Sequence, residues 1–281
     1  MIIDFHTHVF PPEICAQREE YLRRDPTFRA LYSDPRARMG AGPDLLKSMD
    51  AAGIDASVVL SFAWRDGEAR RRTNDYILEQ AAKSSGRLIP FCMIDPSSPD
   101  AAAEVERCVG AGARGLGELR PDDQGYDLSP GGPADVLVSA AAEHGLVILF
   151  HVSEPVGHEY PGKKGLSLES FYRFVERATH ASVVGAHWAG GLPFYALMPR
   201  TRTNFVNVYF DSAGTGLLYE ASVYRHAVDI AGAERVLFGS DFPFFSQARS
   251  RREVEAARLS EEEKRLVLGE NARRLLGLGN G

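Results

Sequence analysis

Two histidines stand one residue apart in Asp4-Phe5-His6-Thr7-His8. Side chains alternate along a β-strand, so both imidazoles point the same way from one strand end. Such a pair can hold one divalent metal, although a lone His-x-His also occurs as a satisfied core pair. The pattern gains weight further along the chain. His151 ends the apolar run Val147-Ile148-Leu149-Phe150, His187 ends Val183-Val184-Gly185-Ala186, and Asp241 follows Leu237-Phe238-Gly239-Ser240. The chain holds eight histidines, and four of them fall at the C-terminal ends of runs that read as strands. In a parallel barrel all such ends converge on one face. Four imidazoles and a carboxylate meeting there would be costly without a cation to satisfy them. The expected metal ligands are therefore His6, His8, His151, His187 and Asp241. The expected ion is zinc, with manganese or iron as alternatives for the same donors.

The elements that must position these residues are short apolar runs alternating with helical patterns. The predicted strands are 2–6, 56–62, 88–94, 113–118, 146–151, 182–187, 204–210 and 235–240. Most are almost continuous in Val, Ile, Leu and Phe, as expected of parallel strands buried on both faces. Helical periods follow at 44–52, 73–84, 100–109 and 134–144. They stop at Gly53, Gly86, Gly110 and Gly145, where a helix end needs a left-handed residue. Later helices are predicted at 167–179, 217–230, 245–257 and 261–276, with a short one at 192–197. Eight strands with alternating helices and no break in composition predict a single α/β domain over residues 1–281, a (β/α)8 barrel. An open doubly wound sheet is the alternative, disfavoured by the lack of a G-x-G-x-x-G after the first strand. Residues 9–42 do not fit the alternation. They form a long insertion between the first strand and its helix, either a lid over the barrel mouth or a solvated excursion.

Taken together, these motifs resemble the amidohydrolase superfamily, and most closely its "amidohydrolase 2" branch, which contains aminocarboxymuconate semialdehyde decarboxylase. The carriers are Ile3-Asp4-Phe5-His6-Thr7-His8, Ile148-Leu149-Phe150-His151, Ala186-His187-Trp188-Ala189-Gly190-Gly191, Arg235-Val236-Leu237-Phe238-Gly239-Ser240-Asp241-Phe242-Pro243, and Gly269-Glu270-Asn271-Ala272-Arg273-Arg274-Leu275-Leu276. The resemblance covers nearly the whole chain and implies fold and metal use; it does not give the substrate. Glu118, in Gly115-Leu116-Gly117-Glu118-Leu119-Arg120-Pro121, departs from the decarboxylase pattern of one metal. The superfamily's deoxyribonuclease branch has a similar Gly-Glu whose glutamate bridges two metals. By that resemblance Glu118 is a further ligand, with His6 and His8 on one ion and His151 and His187 on the other. The alternative is an ion pair of Glu118 with Arg120 or Arg114. In a one-metal site His187 would instead stand beside the ion and move protons or polarise substrate.

The expected reaction is hydrolysis of a small carboxylic ester, lactone or amide by metal-activated water, with Asp241 and His187 catalytic. The alternative is decarboxylation or hydration of an unsaturated carboxylic acid. Residues just beyond strand ends are candidates for substrate binding: Trp64, Arg120, and His158, Tyr160 and Lys163 in the loop 153–165. Arg120 could clamp a substrate carboxylate.

Bulk properties limit the partners. Of 281 residues, 44% are hydrophobic and 25% charged, and 32 basic against 38 acidic side chains leave a net charge of −6. No basic stripe suggests nucleic acid or an anionic membrane. The expected partner is a small, carboxylate-bearing molecule, with a homo-oligomer as a further possibility. Three cysteines without a C-x-x-C pair predict free thiols. No signal-like segment and no run of about 18 apolar residues is seen, so a cytoplasmic, non-membrane protein is expected.

Overall fold

A computed structural model describes residues 1–163 and 165–279; Lys164, Asn280 and Gly281 lie outside the described residues. Eight parallel strands run in chain order around one sheet. They are β1 (Ile3–His8), β2 (Ala56–Leu60), β3 (Leu88–Cys92), β4 (Gly115–Leu119), β5 (Val147–Phe150), β6 (Ser182–Gly185), β7 (Val208–Asp211) and β8 (Val236–Leu237). Backbone bonds beyond β8 bring the sheet back to β1. The Phe5 amide donates to the Phe238 carbonyl at 2.7 Å, Asp241 to His6 at 2.9 Å, and His8 to Phe242 at 2.7 Å. The result is a nearly closed (β/α)8 barrel.

One apolar cluster joins Ile3, Phe5, Val58, Leu60, Phe91, Leu149, Val184 and Leu237, together with Ala272 of the helix Asn271–Leu275 and Leu276 just after it. Residues from six strands can touch only inside the barrel, so this layer is the plug on which the site rests. Helices Gly42–Ala52, Gly67–Lys83, Ala101–Gly110, Asp135–His144, Leu168–Arg177, Val223–Ala231 and Gln247–Ala256 pack outside. Among the described residues no helix is long and apolar enough to cross a membrane.

Several boundaries differ from expectation for identifiable reasons. The helix expected from 73 begins at Gly67, because the Asp66 carboxylate accepts the Ala69 amide and caps it. The helix expected to stop before Gly110 runs through it, and the left-handed residue is Gly112 at φ 100°. The segment 217–230 is broken into Thr215–Leu218 and Val223–Ala231. β7 starts at Val208, not 204, and ends at Asp211, one residue later than expected. Residues 9–42 carry three short helices, Pro12–Ala16, Arg18–Arg24 and Pro26–Tyr32. Phe10, Ile14, Tyr21, Phe28 and Tyr32 from this segment pack on Phe62 and Trp64, which follow β2.

Candidate metal centre

The strand ends deliver the donors, and the backbone beyond them is shaped to do so. The β1–β2 register shifts between Asp4 and Thr7. His6 and His8 both turn to the barrel mouth, their Nε2 atoms 3.1 Å apart. At β4 a Cβ on residue 117 would stand 2.7 Å from the Leu149 carbonyl oxygen, so only glycine lets this strand lie so close to β5. Glu118 follows it, its amide donating to the Ser61 carbonyl at 3.1 Å. Asp241 adopts φ 66°, a left-handed conformation that aspartate tolerates better than most residues.

Asp211, at the end of β7, organises two of the imidazoles. Its Oδ2 accepts His6 Nδ1 at 2.9 Å, and its Oδ1 accepts the His187 amide at 3.0 Å. His187 Nδ1 donates to the Ala213 carbonyl at 3.0 Å. With these nitrogens occupied, the Nε2 atoms of both rings face the centre. His151 is turned the other way: Nε2 faces the Gly162 carbonyl at 3.0 Å, and Nδ1 faces Glu118 Oε1 at 2.9 Å.

Glu118 lies between two histidine pairs. Its Oε1 is near His151 Nδ1 and 3.4 Å from His187 Nε2; its Oε2 is 3.5 Å from His8 Nε2 and 3.8 Å from His6 Nε2. Asp241 Oδ1 completes the second side, 3.7 Å from both His6 and His8. His6, His8 and Asp241 form one set of donors close enough to share an ion, and His6, Glu118 and His187 another. Buried imidazole nitrogens facing one another across two carboxylates are the donor chemistry of a divalent ion, so the residues fit such a group.

The protonation pattern reflects this crowding. Burial opposes charge on His6, but Asp211 and then Glu118 outweigh it and raise its pKa to about 10. Burial and the neighbouring His6 lower His8 to about 3. Burial, with Arg120, lowers His151 to about 4. Burial raises the Asp241 carboxyl to about 6 despite His6 and His187. Burial would also raise Glu118, yet His151 and His6 hold it well below the usual carboxylate range.

Above the donors opens a cavity of about 490 Å³. His8, Glu118, His151, His187 and Asp241 form its polar end, while Tyr32, Phe62, Phe244, Phe245, Leu217 and Leu218 supply apolar wall. Arg120 and Tyr160 also line it. The Arg120 guanidinium donates to Asp123 Oδ2 at 2.5 Å and to the Gly162 carbonyl at 2.9 Å, and Tyr160 donates to Glu154 Oε2 at 2.9 Å. The structure does not bring the other three candidates to this cavity. Trp64 is fully buried and stacked on Phe28, with its N–H donated to Thr73. Lys163 donates to the Gly157 and His158 carbonyls of its own loop. His158 lines a neighbouring cavity with Glu154 and Tyr219. The pairing considered for Glu118 with arginine is not what is seen; its partners are histidines.

A model of the amidohydrolase family matches residues 3–278. The chain belongs to the amidohydrolase family. Gamma-resorcylate decarboxylase of Rhizobium sp. strain MTP-10005 is 24% identical to this amidohydrolase over 286 residues, covering 83% of this chain and 86% of that enzyme. Among solved structures, 5-carboxyvanillate decarboxylase from Sphingomonas paucimobilis superposes with a TM-score of 0.78 at 18% identity over 99% of each chain. Dihydroxybenzoic acid decarboxylase from Polaromonas sp. JS666, solved with manganese and the inhibitor 2-nitroresorcinol, gives 0.73 at 19% identity over 100% of this chain and 98% of that one. At these identities the structural likeness is one of fold.

Sequence reasoning missed Asp211, Tyr32 and the aromatic walls. Asp211 carried a usable signal: it ends Val208-Tyr209-Phe210-Asp211 just as Asp241 follows its own strand, but the strand was expected to stop at Phe210.

Proposed function

We propose that this amidohydrolase is a metal-dependent, non-oxidative decarboxylase of a hydroxylated aromatic carboxylic acid. The observation that carries the reading is the cavity itself, a floor of buried imidazoles and carboxylates under aromatic and aliphatic walls. A planar ring fits such walls, and its oxygen substituents fit such a floor. The similarity to decarboxylases of resorcylate and carboxyvanillate supports this choice over the hydrolysis expected from sequence.

His6, His8, Glu118, His187 and Asp241, with His151 through Nδ1, would hold a divalent ion, manganese as in the Polaromonas enzyme or zinc. Bound there, it would supply positive charge that draws in substrate oxygens and offsets negative charge as it develops. The rest falls to the protein. The bond from ring to carboxylate carbon breaks, CO2 leaves, and the electron pair stays on the ring carbon until a proton replaces the lost group. Asp241 is our choice to deliver that proton, since its carboxyl stands at the polar end of the cavity beside His187. His187 faces the same space and would pass a proton to Asp241 or polarise the substrate. Arg120 and Tyr160 are assigned to substrate recognition at the wall. Protein loaded with manganese or zinc should release CO2 from γ-resorcylate or 5-carboxyvanillate, and Asp241→Asn should reduce the rate at least a hundredfold. Loaded protein that leaves both acids intact while cleaving simple lactones or esters would overturn the reading.

One observation favours a second reading. The two oxygens of Glu118 face separate histidine pairs, as a carboxylate shared by two ions would. Paired ions suit hydrolysis of a carboxylic ester, lactone or amide. Metal analysis separates the two: one ion per chain supports decarboxylation, and two ions together with ester or lactone turnover support hydrolysis.

A further inference from the structure

The proton and metal chemistry above makes no use of residues 9–42, yet Tyr32, Asp34 and Arg36 of this segment line the cavity, and of these three Tyr32 alone is buried. Tyr32, the last residue of helix Pro26–Tyr32, is 1% exposed and lines the same cavity as His8, Glu118 and Asp241. Its ring is held from several sides. It stacks on Phe28 at 4.7 Å, meets Phe10 and Phe62 edge-on at 5.3 and 5.8 Å, and leans on Phe244 at 5.5 Å. Its backbone is held too, since the Arg18 guanidinium donates to the carbonyls of Tyr32, Asp34 and Ala37.

The hydroxyl is the exception. No hydrogen bond to another described residue engages it, and it is not one of the polar atoms sealed inside the protein, so it opens onto the cavity. A tyrosine presents a polar end from an apolar body, and phenylalanine would fill the aromatic cluster equally well. The ring contacts place this hydroxyl on the wall of the cavity whose floor is His8, Glu118 and Asp241, within reach of a bound ring. A phenol is protonated near neutrality whatever its surroundings, so the group is available as a hydrogen-bond donor.

We propose that Tyr32 contacts the substrate, its hydroxyl donating a hydrogen bond to an oxygen substituent of the bound ring. This rests on the decarboxylase reading for the kind of ligand, and on the geometry of residues 9–42 for the residue. The test is Tyr32→Phe, which removes the hydroxyl and keeps the ring. Manganese-loaded full-length protein, wild type and variant, is titrated in a calorimeter with 2-nitroresorcinol and with 4-hydroxy-3-methoxy-5-nitrobenzoic acid. The expected result is affinity weakened about tenfold, with metal content and Tm unchanged, and with KM for γ-resorcylate rising more than kcat falls. Equal affinity in the two proteins overturns the assignment of Tyr32 and leaves the decarboxylase reading standing. A variant that loses metal or melts several degrees lower also overturns it, because the role would then be structural. A wild type that binds neither 2-nitroresorcinol nor 4-hydroxy-3-methoxy-5-nitrobenzoic acid overturns the decarboxylase reading itself, and the proposed contact with it.

Discussion

Asp211 has no exposed surface and spends both oxygens on the site, one on His6 Nδ1 and the other on the amides of His187 and Ala213. The bond to His6 decides which nitrogen carries the proton, and therefore which one presents a lone pair to the centre. Asp211→Asn keeps the shape but can offer an N–H to Nδ1, which favours the tautomer with its proton on Nε2. Metal affinity should then fall about 10- to 100-fold, measured by competition with a fluorescent chelator. Unchanged affinity would mean that His6 does not bind metal through Nε2. The same accounting explains why polar residues just past strand ends differed in fate. Trp64, His158 and Lys163 looked as well placed in the sequence as Arg120. However, Trp64 is packed in the aromatic cluster and Lys163 turns to the carbonyls of its own loop, whereas Arg120, though bonded to Asp123 and the Gly162 carbonyl, still lines the cavity, a difference that no local pattern announces.

Asp25 does for residues 9–42 what Asp211 does for the centre. Its Oδ1 caps the helix Pro26–Tyr32 by accepting the Phe28 amide at 2.9 Å. Its Oδ2 accepts the amides of Arg65 and Asp66 at 2.7 and 2.9 Å, pinning the segment to the loop after β2. Asp25→Ala leaves three amides without this acceptor and should cost about 3 kcal/mol, read as a lower melting temperature. Faster tryptic cleavage within residues 18–29 should accompany it, and an unchanged digestion pattern would refute the pinning role. Little of this was legible beforehand. The helices of residues 9–42 span five to seven residues, too short for a helical period to stand out, and their packing partners Phe62 and Trp64 are distant in sequence. The barrel strands were legible because parallel strands buried on both faces read as unbroken apolar runs. At β7 that logic misled. Phe205 is apolar because it packs in the outer core, and it precedes the strand, which begins at Val208.

The barrel as a whole must tolerate a floor of crowded, buried charge, and its stability should therefore be linked to metal and pH together. Without an ion, Asp241 titrates near 6 in the fold against an ordinary 3.8, so its contribution favours the folded state below 3.8 and is lost as pH rises through about 6. His6, raised to about 10 from 6.5, contributes stability that is full below 6.5 and lost as pH rises through about 10. An ion must displace both protons. Uptake near neutrality should release at least the His6 proton, and below about pH 6 the Asp241 proton as well, so apparent affinity should climb with pH and most steeply on the acid side. At free ion a thousandfold above Kd the fold gains about 4 kcal/mol, roughly 10 °C in Tm for a chain of this size. The gap between manganese-loaded and chelator-treated protein should thus be wide at pH 8 and narrow toward pH 5. Asp241→Asn should flatten the acid part of that dependence while leaving the His6 part. A gap that is constant across this range would mean that the ion does not sit among these groups, and the barrel mouth would lose its reading as a metal centre.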